Sequence, residues 1–194
     1  MKNVKNLFNQ AAAGLRVLLV MTVLLGVAYP LGVWAVSRVP GLQANAEGSI
    51  VTRDGQAVGS ELIGVDPVAA DPAADPWFHT RPSANGDPSV SGGSNKSGFN
   101  EDLLAQVTER RAAIAAREGV AEAAVPPDAV TASASGVDPT ISVAYAELQV
   151  PRVARNTGVA PDRVAELVRE HTGGVIPGVN VLQLNLAVQQ VTGR

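Results

Sequence analysis

The sequence predicts an α+β fold: one N-terminal transmembrane helix followed by a single compact soluble domain with a short hairpin and about three helices. Three observations predict it. A run of 20 uncharged residues comes first, an Asp-Gly dipeptide then joins two strand-like segments, and three later segments carry helix signals. The 194 residues fit one ordinary domain with an appended anchor.

The uncharged run, Val17–Val36, predicts the transmembrane helix. At about 1.5 Å per residue, a helix of this length spans about 30 Å, the hydrocarbon thickness of a bilayer. Tyr29 and Trp34 fall toward its far end, where aromatic side chains favour the membrane interface. A cleaved signal peptide is the alternative, with Ala44–Ala46 as a small-x-small cleavage pattern, but the apolar run exceeds the usual 7–15 residues.

Charge predicts the orientation of the chain. Residues 1–38 carry four basic and no acidic residues, whereas residues 39–194 carry eleven basic and eighteen acidic residues, a net charge of −7. Because basic segments stay on the cytoplasmic side, we expect a cytoplasmic N-terminus at 1–16 and a transmembrane segment at 17–36. Residues 37–194 then form the extracytoplasmic domain of a single-pass protein of the cell membrane, inner or plasma.

The outer domain opens with a predicted hairpin, in which Asp54-Gly55 supplies a type I′ turn. Leu62–Val65 is predicted as a further short strand. Residues 66–76 contain three Asp-Pro steps, which favour turns. In the segment 82–100, 15 of 19 residues are Gly, Ser, Asn, Asp or Pro, so we expect a long loop there.

Three helices are predicted after this loop. The first is capped by Asn100 and ends at Gly119, with Leu103, Leu104, Val107 and Ile114 inward. The second covers about 141–156 and is interrupted by Pro151. The third runs from Pro161 to about His171 with Val164, Leu167 and Val168 inward. The segment 180–191 fits either a strand, since 182–188 alternates, or a helix capped by Asn180.

Composition excludes several chemistries. The absence of Cys excludes a disulfide scaffold, a zinc finger and a thiolate nucleophile. Only two histidines are present, so an imidazole-rich metal site is not expected. We expect His79 to pack beside Phe78, His171 to lie at a helix end, and the carboxylates to be solvated. The sequence thus predicts no catalytic residues, no metal site and no nucleic-acid partner.

Two stretches of small residues could carry chemistry. The segment Ser91–Ser97 could close around a phosphate, but it departs from a P-loop because Val90 and Asn95 stand where glycines are required. The alternative is a flexible surface turn. The segment Val130–Pro139 lacks the G-x-S-x-G pattern of a nucleophile elbow.

Six motifs follow one another behind the membrane helix. In chain order they are Gly59-Ser60-x-Leu62-Ile63-Gly64, Trp77-Phe78-x-x-Arg81-Pro82-Ser83-Ala84, Ser91-Gly92-Gly93-Ser94-Asn95, Val130-Thr131-Ala132-Ser133-x-Ser135-Gly136-x-Asp138-Pro139-x-Ile141-Ser142, Gln149-Val150-Pro151-Arg152-Val153-Ala154 and Val179-Asn180-Val181-Leu182-x-Leu184-Asn185-Leu186-Ala187. This succession resembles the C subunit of the Kdp-type potassium-transporting ATPase over nearly the whole chain.

The resemblance implies a non-catalytic accessory subunit of a high-affinity ATP-driven potassium uptake complex. Its implied partners are a potassium-selecting channel-like subunit, an ATP-hydrolysing P-type subunit and a small membrane subunit. Potassium is the transported ion. In that family the C subunit is described as assembling the complex and as a catalytic chaperone that supports ATP binding by the hydrolysing subunit. ATP therefore enters only through the complex, and no covalently bound cofactor is implied.

The resemblance also implies site residues. The nucleotide-related loop would comprise Ser91, Gly92, Gly93, Ser94 and Asn95. Candidate structural or subunit-contact residues are Trp77, Phe78, Arg81, Pro82, Ser83, Ser133, Ser135, Gly136, Asp138, Pro139, Gln149, Arg152, Asn180 and Asn185. Two roles are open for Arg81: it contacts a partner subunit, or it ties the long loop to its own domain. Two other classes remain: a membrane-anchored outer binding or sensor domain acting on its own, and an anchored hydrolase.

Overall fold

The computed structural model describes residues 2–193. The chain divides into two units, Met1–Ser49 and Ile50–Arg194.

The first unit is dominated by one long helical segment. Helix α1 covers Lys2–Val23, a π-helical turn covers Leu24–Ala28, and helix α2 covers Tyr29–Ser37. Its stretch Val4–Ser37 is long and apolar enough to cross a membrane, and none of its most apolar window is buried. The predicted N-terminal helix is confirmed, although it begins well before the uncharged run because the polar residues ahead of that run are also helical.

The π-helical turn lies just before the proline of the long apolar helix. The Tyr29 N–H donates to the Leu24 carbonyl, five residues back, just before Pro30, which has no N–H to donate. The helix therefore continues through a residue that ordinarily ends one. Beyond it, the Arg38 guanidinium lies over the Trp34 ring, 5.6 Å from its centroid, and Arg38 Nη1 lies 2.6 Å from Glu47 Oε1. The short helix α3 covers Gln43–Ala46.

The second unit opens with the predicted hairpin. Strand β1 (Ile50–Arg53) pairs antiparallel with strand β2 (Gln56–Ser60). The turn residues have positive φ, 52° at Asp54 and 77° at Gly55, as a type I′ turn requires. The hairpin prediction is confirmed.

The predicted strand at Leu62–Val65 is wrong. Only Ile63 forms an isolated bridge, with Ser60. The Gly64 N–H instead donates to the Val137 carbonyl at 2.8 Å, and a Cβ at Gly64 would lie 2.3 Å from the Asp138 carbonyl oxygen. This close approach to a loop replaces strand pairing.

Helix α4, Glu101–Glu118, has the predicted bounds. The Asn100 side chain accepts from the Leu103 N–H, and Gly119 ends the helix with a φ of 71°. Its inner face carries Ile114, as expected, whereas Leu104 is 53% exposed, contrary to the prediction. A short helix α5, Pro127–Val130, follows.

Helix α6, Val143–Thr157, follows strand β3, Thr140–Ser142. The predicted interruption at Pro151 is wrong, because the helix runs through it. The carbonyl that loses its partner belongs to Glu147, which is exposed like Pro151 itself, so water can solvate it. Helix α7, Pro161–Glu170, matches its prediction.

The last part of the chain completes a small sheet and a fourth long helix. Strands β4 (Thr172–Gly173) and β5 (Gly178–Asn180) form an antiparallel sheet in the order β3-β5-β4. Helix α8 covers Val181–Thr192, and Asn180 Oδ1 accepts from the Gln183 N–H at 3.2 Å. Of the two alternatives left open for 180–191, the capped helix is the observed one.

The core lies between the four long helices α4, α6, α7 and α8 and the sheet. Its largest apolar side chains are almost fully buried. They are Tyr145, Phe78, Ile141, Leu184, Val130, Val153, Val164, Val168, Val179 and Val181. In the described chain, the segment 75–100 contains neither helix nor strand, as predicted for 82–100, yet Phe78 from this segment is at the centre of the core.

Candidate functional site

An extended segment, Asp75–Arg81, passes through the core of the second unit, and we call it the strap. Phe78, His79 and Thr80 are buried, although no strand within residues 2–193 pairs with this segment. Buried N–H and C=O groups need partners, so other groups must satisfy its backbone. Side chains supply those partners.

Two amide side chains bind the backbone of the strap. From α8, Asn185 Oδ1 accepts from the Phe78 N–H at 2.8 Å and Nδ2 donates to the Phe78 carbonyl at 2.9 Å. From α6, Gln149 Oε1 accepts from the His79 N–H at 2.8 Å and Nε2 donates to the His79 carbonyl at 3.3 Å. Each amide thereby provides the donor and acceptor that a neighbouring strand would provide.

Arg152 joins the strap to α4 and α6. Its Nε lies 3.1 and 3.0 Å from the two carboxylate oxygens of Glu118, and its Nη1 donates to the Asp75 carbonyl at 2.9 Å. Nη2 donates to Gln149 Oε1 at 3.1 Å. The Arg152 side chain is 3% exposed and that of Glu118 is 0% exposed. A buried guanidinium with this many partners fixes three segments against one another.

Asp75 is the second buried carboxylate of this network. Burial raises the pKa of Asp75, but hydrogen bonds from the Trp77 N–H and His79, together with the charges of His79 and Arg152, outweigh burial and hold that pKa below its ordinary value. The expectation that all carboxylates are solvated is therefore wrong for Asp75 and Glu118. For Glu118, helical periodicity could have indicated burial, because Glu118 lies four residues after the inward Ile114 on the same face of α4.

His79 lies between two carboxylates rather than against Phe78, contrary to the prediction. Its Nε2 is 2.5 Å from Asp75 Oδ2, and its Nδ1 is 3.2 Å from both carboxylate oxygens of Asp66. Successive side chains of an extended segment point to opposite sides, so His79 and its neighbour face different surroundings. The Thr80 N–H donates to Asp66 Oδ1 at 2.8 Å. His171 lies where it was expected, at the end of α7.

Arg81, at the end of the strap, contacts its own domain. Its Nη1 lies 3.1 Å from Asp138 Oδ2, and its Nε and Nη2 donate to the Thr131 carbonyl at 3.4 and 3.3 Å. These contacts fit the alternative in which Arg81 ties the loop to its domain. They place it beside the segment 131–138, which carries four other predicted site residues, Ser133, Ser135, Gly136 and Asp138.

The loop Ser91–Asn95 packs directly on that same segment. The Gly92 N–H donates to the Ser135 carbonyl at 2.6 Å. A Cβ on Gly93 would lie 3.1 Å from the Ala134 carbonyl oxygen, and one on Gly136 would lie 2.5 Å from the Gly92 carbonyl oxygen. The close packing of the two loops therefore requires glycine at Gly136, where φ is 70°, and leaves little room for a side chain at Gly93. Ser94 and Asn95 remain exposed.

The other predicted site residues lie near the same loops or cap α8. Pro82 and Ser83 follow the strap, and Ser133 Oγ accepts from the Gly136 N–H at 2.9 Å. The Pro139 carbonyl accepts from the Val181 N–H at 3.0 Å. Asn180 Nδ2 donates to the Glu61 carbonyl at 2.9 Å. The motif residues thus form contacts between segments that are far apart in sequence.

A cleft of about 310 Å³ lies between the strap, α4 and the segment 129–138. The ionisable side chains that line it are those of Asp66, His79, Arg81, Arg110, Arg117, Asp138 and Tyr145. Burial raises the pKa of Tyr145, although Arg117 Nη2 lies 3.0 Å from its hydroxyl oxygen. Sequence reasoning missed Asp66, Arg110, Arg117 and Tyr145, because none of them belongs to a recognisable local pattern. Within residues 2–193, no cluster of three or more His, Cys, Asp or Glu side chains is placed to hold a metal ion.

Replacing Arg152 should destabilise the domain strongly. In Arg152→Met, Glu118 and Asp75 stay buried without their shared cation, so we expect a loss of about 3 kcal/mol or more in the free energy of unfolding. Urea unfolding of the full chain in detergent micelles measures it. The control is Arg155→Met, which removes an exposed arginine of the same helix and should change little. Equal effects of the two substitutions would contradict this assignment.

Stability should fall in acid through Asp75. Because its folded-state pKa is lowered, Asp75 contributes stability above its unfolded pKa of about 3.9, and this is lost as the pH falls through the folded pKa. Asp75→Asn should therefore be less stable at pH 7 but lose less stability between pH 7 and pH 3. The exposed control Glu147→Gln should keep the wild-type pH dependence. If Asp75→Asn and wild type show the same pH dependence, the carboxylate does not contribute in this way.

Comparison with known proteins identifies the family. The model of the family described as "K+-transporting ATPase, c chain" (KdpC) matches residues 11–190. The chain is 49% identical over 193 residues to a potassium-transporting ATPase KdpC subunit of Kineococcus radiotolerans, covering 95% of each chain. It is 43% identical to that of Mycobacterium tuberculosis, over 94% of this chain and 98% of the relative. For Streptomyces avermitilis the identity is 42%, over 92% of each. The chain belongs to the KdpC family of potassium-transporting ATPase subunits.

Proposed function

We propose that this chain is a non-catalytic accessory subunit that holds a high-affinity potassium uptake complex together and supports ATP binding and turnover by its hydrolysing subunit. The observation that carries the proposal is the long apolar helix: the stretch Val4–Ser37 is long and apolar enough to cross a membrane, and none of its most apolar window is buried. A helix of this kind is covered by lipid and by other membrane helices. The relatives are named as subunits of a potassium-transporting ATPase, which supports a place in a complex with other subunits.

The partners we propose are a potassium-selecting channel-like subunit, an ATP-hydrolysing P-type subunit and a small membrane subunit. The acidic domain lies on the outer side, where it covers the mouth of the potassium-selecting subunit. The support for this side is the charge asymmetry: Lys2, Lys5 and Arg16, with no acidic residue, precede the apolar run, against Arg38 alone close to its other end. In this arrangement the domain is separated from cytosolic ATP.

An effect on ATP must then be indirect. The long helix would shift the equilibrium between states of the hydrolysing subunit, which is a coupling between distant sites. The exposed loop residues Ser94 and Asn95 would face the outer medium or a partner. A direct role of the Ser91–Asn95 loop in contacting nucleotide requires the opposite orientation, and the two arrangements can be separated experimentally.

The absence of Cys makes the orientation measurable. We expect Ser97→Cys, an exposed position in the loop, to react with a membrane-impermeant thiol reagent in intact cells. Ala46→Cys, exposed in α3, is the matched position in case a partner covers the loop. Labelling of both only after the cells are broken open would reverse the orientation and favour direct contact with nucleotide.

Removing the outer domain should disassemble the complex. With residues 50–194 deleted, the remaining unit keeps its helix, and we expect the two larger subunits to copurify at least about five-fold less well. Any residual complex should have a weaker apparent affinity for ATP. The full-length chain with the same purification tag is the control. Unchanged copurification and unchanged affinities for ATP and potassium would contradict the proposal, whereas a full chain that never copurifies would favour an anchored domain acting alone.

A further inference from the structure

The cleft beside the strap contains one arginine, Arg110, that forms no ion pair within residues 2–193. Arg81 is paired with Asp138 at 3.1 Å and Arg117 with Glu118 at 2.7 Å. Arg110 donates from Nη1 to the Val130 carbonyl at 3.3 Å, and no carboxylate of residues 2–193 lies within ion-pair distance of it. The guanidinium of Arg110 therefore keeps hydrogen-bonding capacity that its own domain does not use.

The carboxylates of the cleft are already bound. Asp66 accepts from the Thr80 N–H at 2.8 Å and lies 3.2 Å from His79 Nδ1, while Asp138 accepts from the Thr140 N–H at 2.9 Å in addition to Arg81. These contacts hold both acids to the wall of the cleft. Among the side chains that line the cleft, three arginines stand against the two carboxylates of Asp66 and Asp138, an excess of one positive charge, whereas residues 39–194 together carry a net charge of −7.

The shape of the cleft suits a small ligand. Its volume of about 310 Å³ corresponds to roughly ten water molecules at about 30 Å³ each. Ser83, Ser133 and the Tyr145 hydroxyl group line the same space and can donate or accept hydrogen bonds. A phosphate ion or a small dicarboxylate fits such a volume together with a few waters.

We propose that this cleft binds a small free oxyanion, carrying a phosphate or carboxylate group, with Arg110 as its principal ligand. A planar guanidinium matches the paired oxygens of such a group. Arg81 and Arg117 stay paired with Asp138 and Glu118, so Arg110 is the arginine of the cleft that is left to pair with the anion. The site is distinct from the membrane helix and from the exposed residues Ser94 and Asn95, and it does not depend on the proposed role in the complex.

Titration calorimetry of the full chain in detergent micelles tests the site. The probes are inorganic phosphate and succinate, each added against sodium chloride at constant ionic strength. We expect saturable binding of one ion per chain for at least one probe, and a loss of affinity of about ten-fold or more in Arg110→Gln. The matched control Arg169→Gln removes an exposed arginine of α7 and should bind as wild type does. Arg110→Lys should keep part of the affinity.

A second variant keeps the test decisive if Arg110→Gln does not fold. Ala113 lines the cleft one turn after Arg110 and is exposed, so Ala113→Glu leaves the core intact and places a competing carboxylate beside the guanidinium. We expect it to abolish binding. The proposal is overturned if wild type shows no saturable binding, if Arg169→Gln loses as much affinity as Arg110→Gln, or if Ala113→Glu binds like wild type. Binding absent in the wild-type chain, with copurification that depends on Arg110, would instead identify an acidic side chain of a partner as the occupant.

Discussion

The domain depends on the side-chain hydrogen bonds that hold the strap, residues 75–81, in its core. A strand in a sheet obtains its partners from its neighbours, whereas this buried extended segment obtains them from Gln149, Arg152 and Asn185. These residues come from two helices, and Arg152 adds α4 through Glu118. The strap therefore fixes the relative positions of the helices that form the core, and the helices in turn fix the strap.

The same arrangement positions the residues beyond the strap. Arg81 leaves the core already oriented toward Asp138, and the segment 131–138 then provides the surface on which Gly92 and Gly93 pack. A Cβ on Gly93 would press against the Ala134 backbone, whereas one on Gly92 would meet the Asn85 side chain. Glycine in a loop often marks a place where another group packs closely against the backbone. Here one such group is the segment 131–138 of the same chain.

Local rules were sufficient wherever structure is set by nearby residues. The Asp54-Gly55 turn and the caps of α4 at Asn100 and Gly119 depend on interactions within a few residues, so the sequence predicted them. The strand at Leu62–Val65 and the break at Pro151 were predicted wrongly. At Leu62–Val65, the distant Val137 carbonyl accepts the hydrogen bond of the Gly64 N–H. At Pro151, the carbonyl that loses its partner lies on the exposed face of α6, where water can solvate it.

The same difference between local and long-range interactions applies to the candidate site. The motifs pointed to Gln149, Arg152 and Asn185 but did not reveal their hydrogen bonds. The strap residues that they bind lie 70 or more residues away in the sequence. The carboxylates Asp75 and Glu118 were expected in water, since charged residues are mostly exposed. Their burial becomes favourable only once Arg152 is brought to them by the tertiary fold.

Native-state hydrogen exchange of the full chain in micelles tests most directly whether side chains hold the strap as part of the core. The decisive signals are the amide protons of Phe78 and His79, compared with Val153 in α6 and Gly98 in the exposed loop. We predict that Phe78 and His79 exchange as slowly as Val153, only when the whole domain unfolds, while Gly98 exchanges rapidly. Exchange of Phe78 and His79 at the rate of Gly98 would contradict the account.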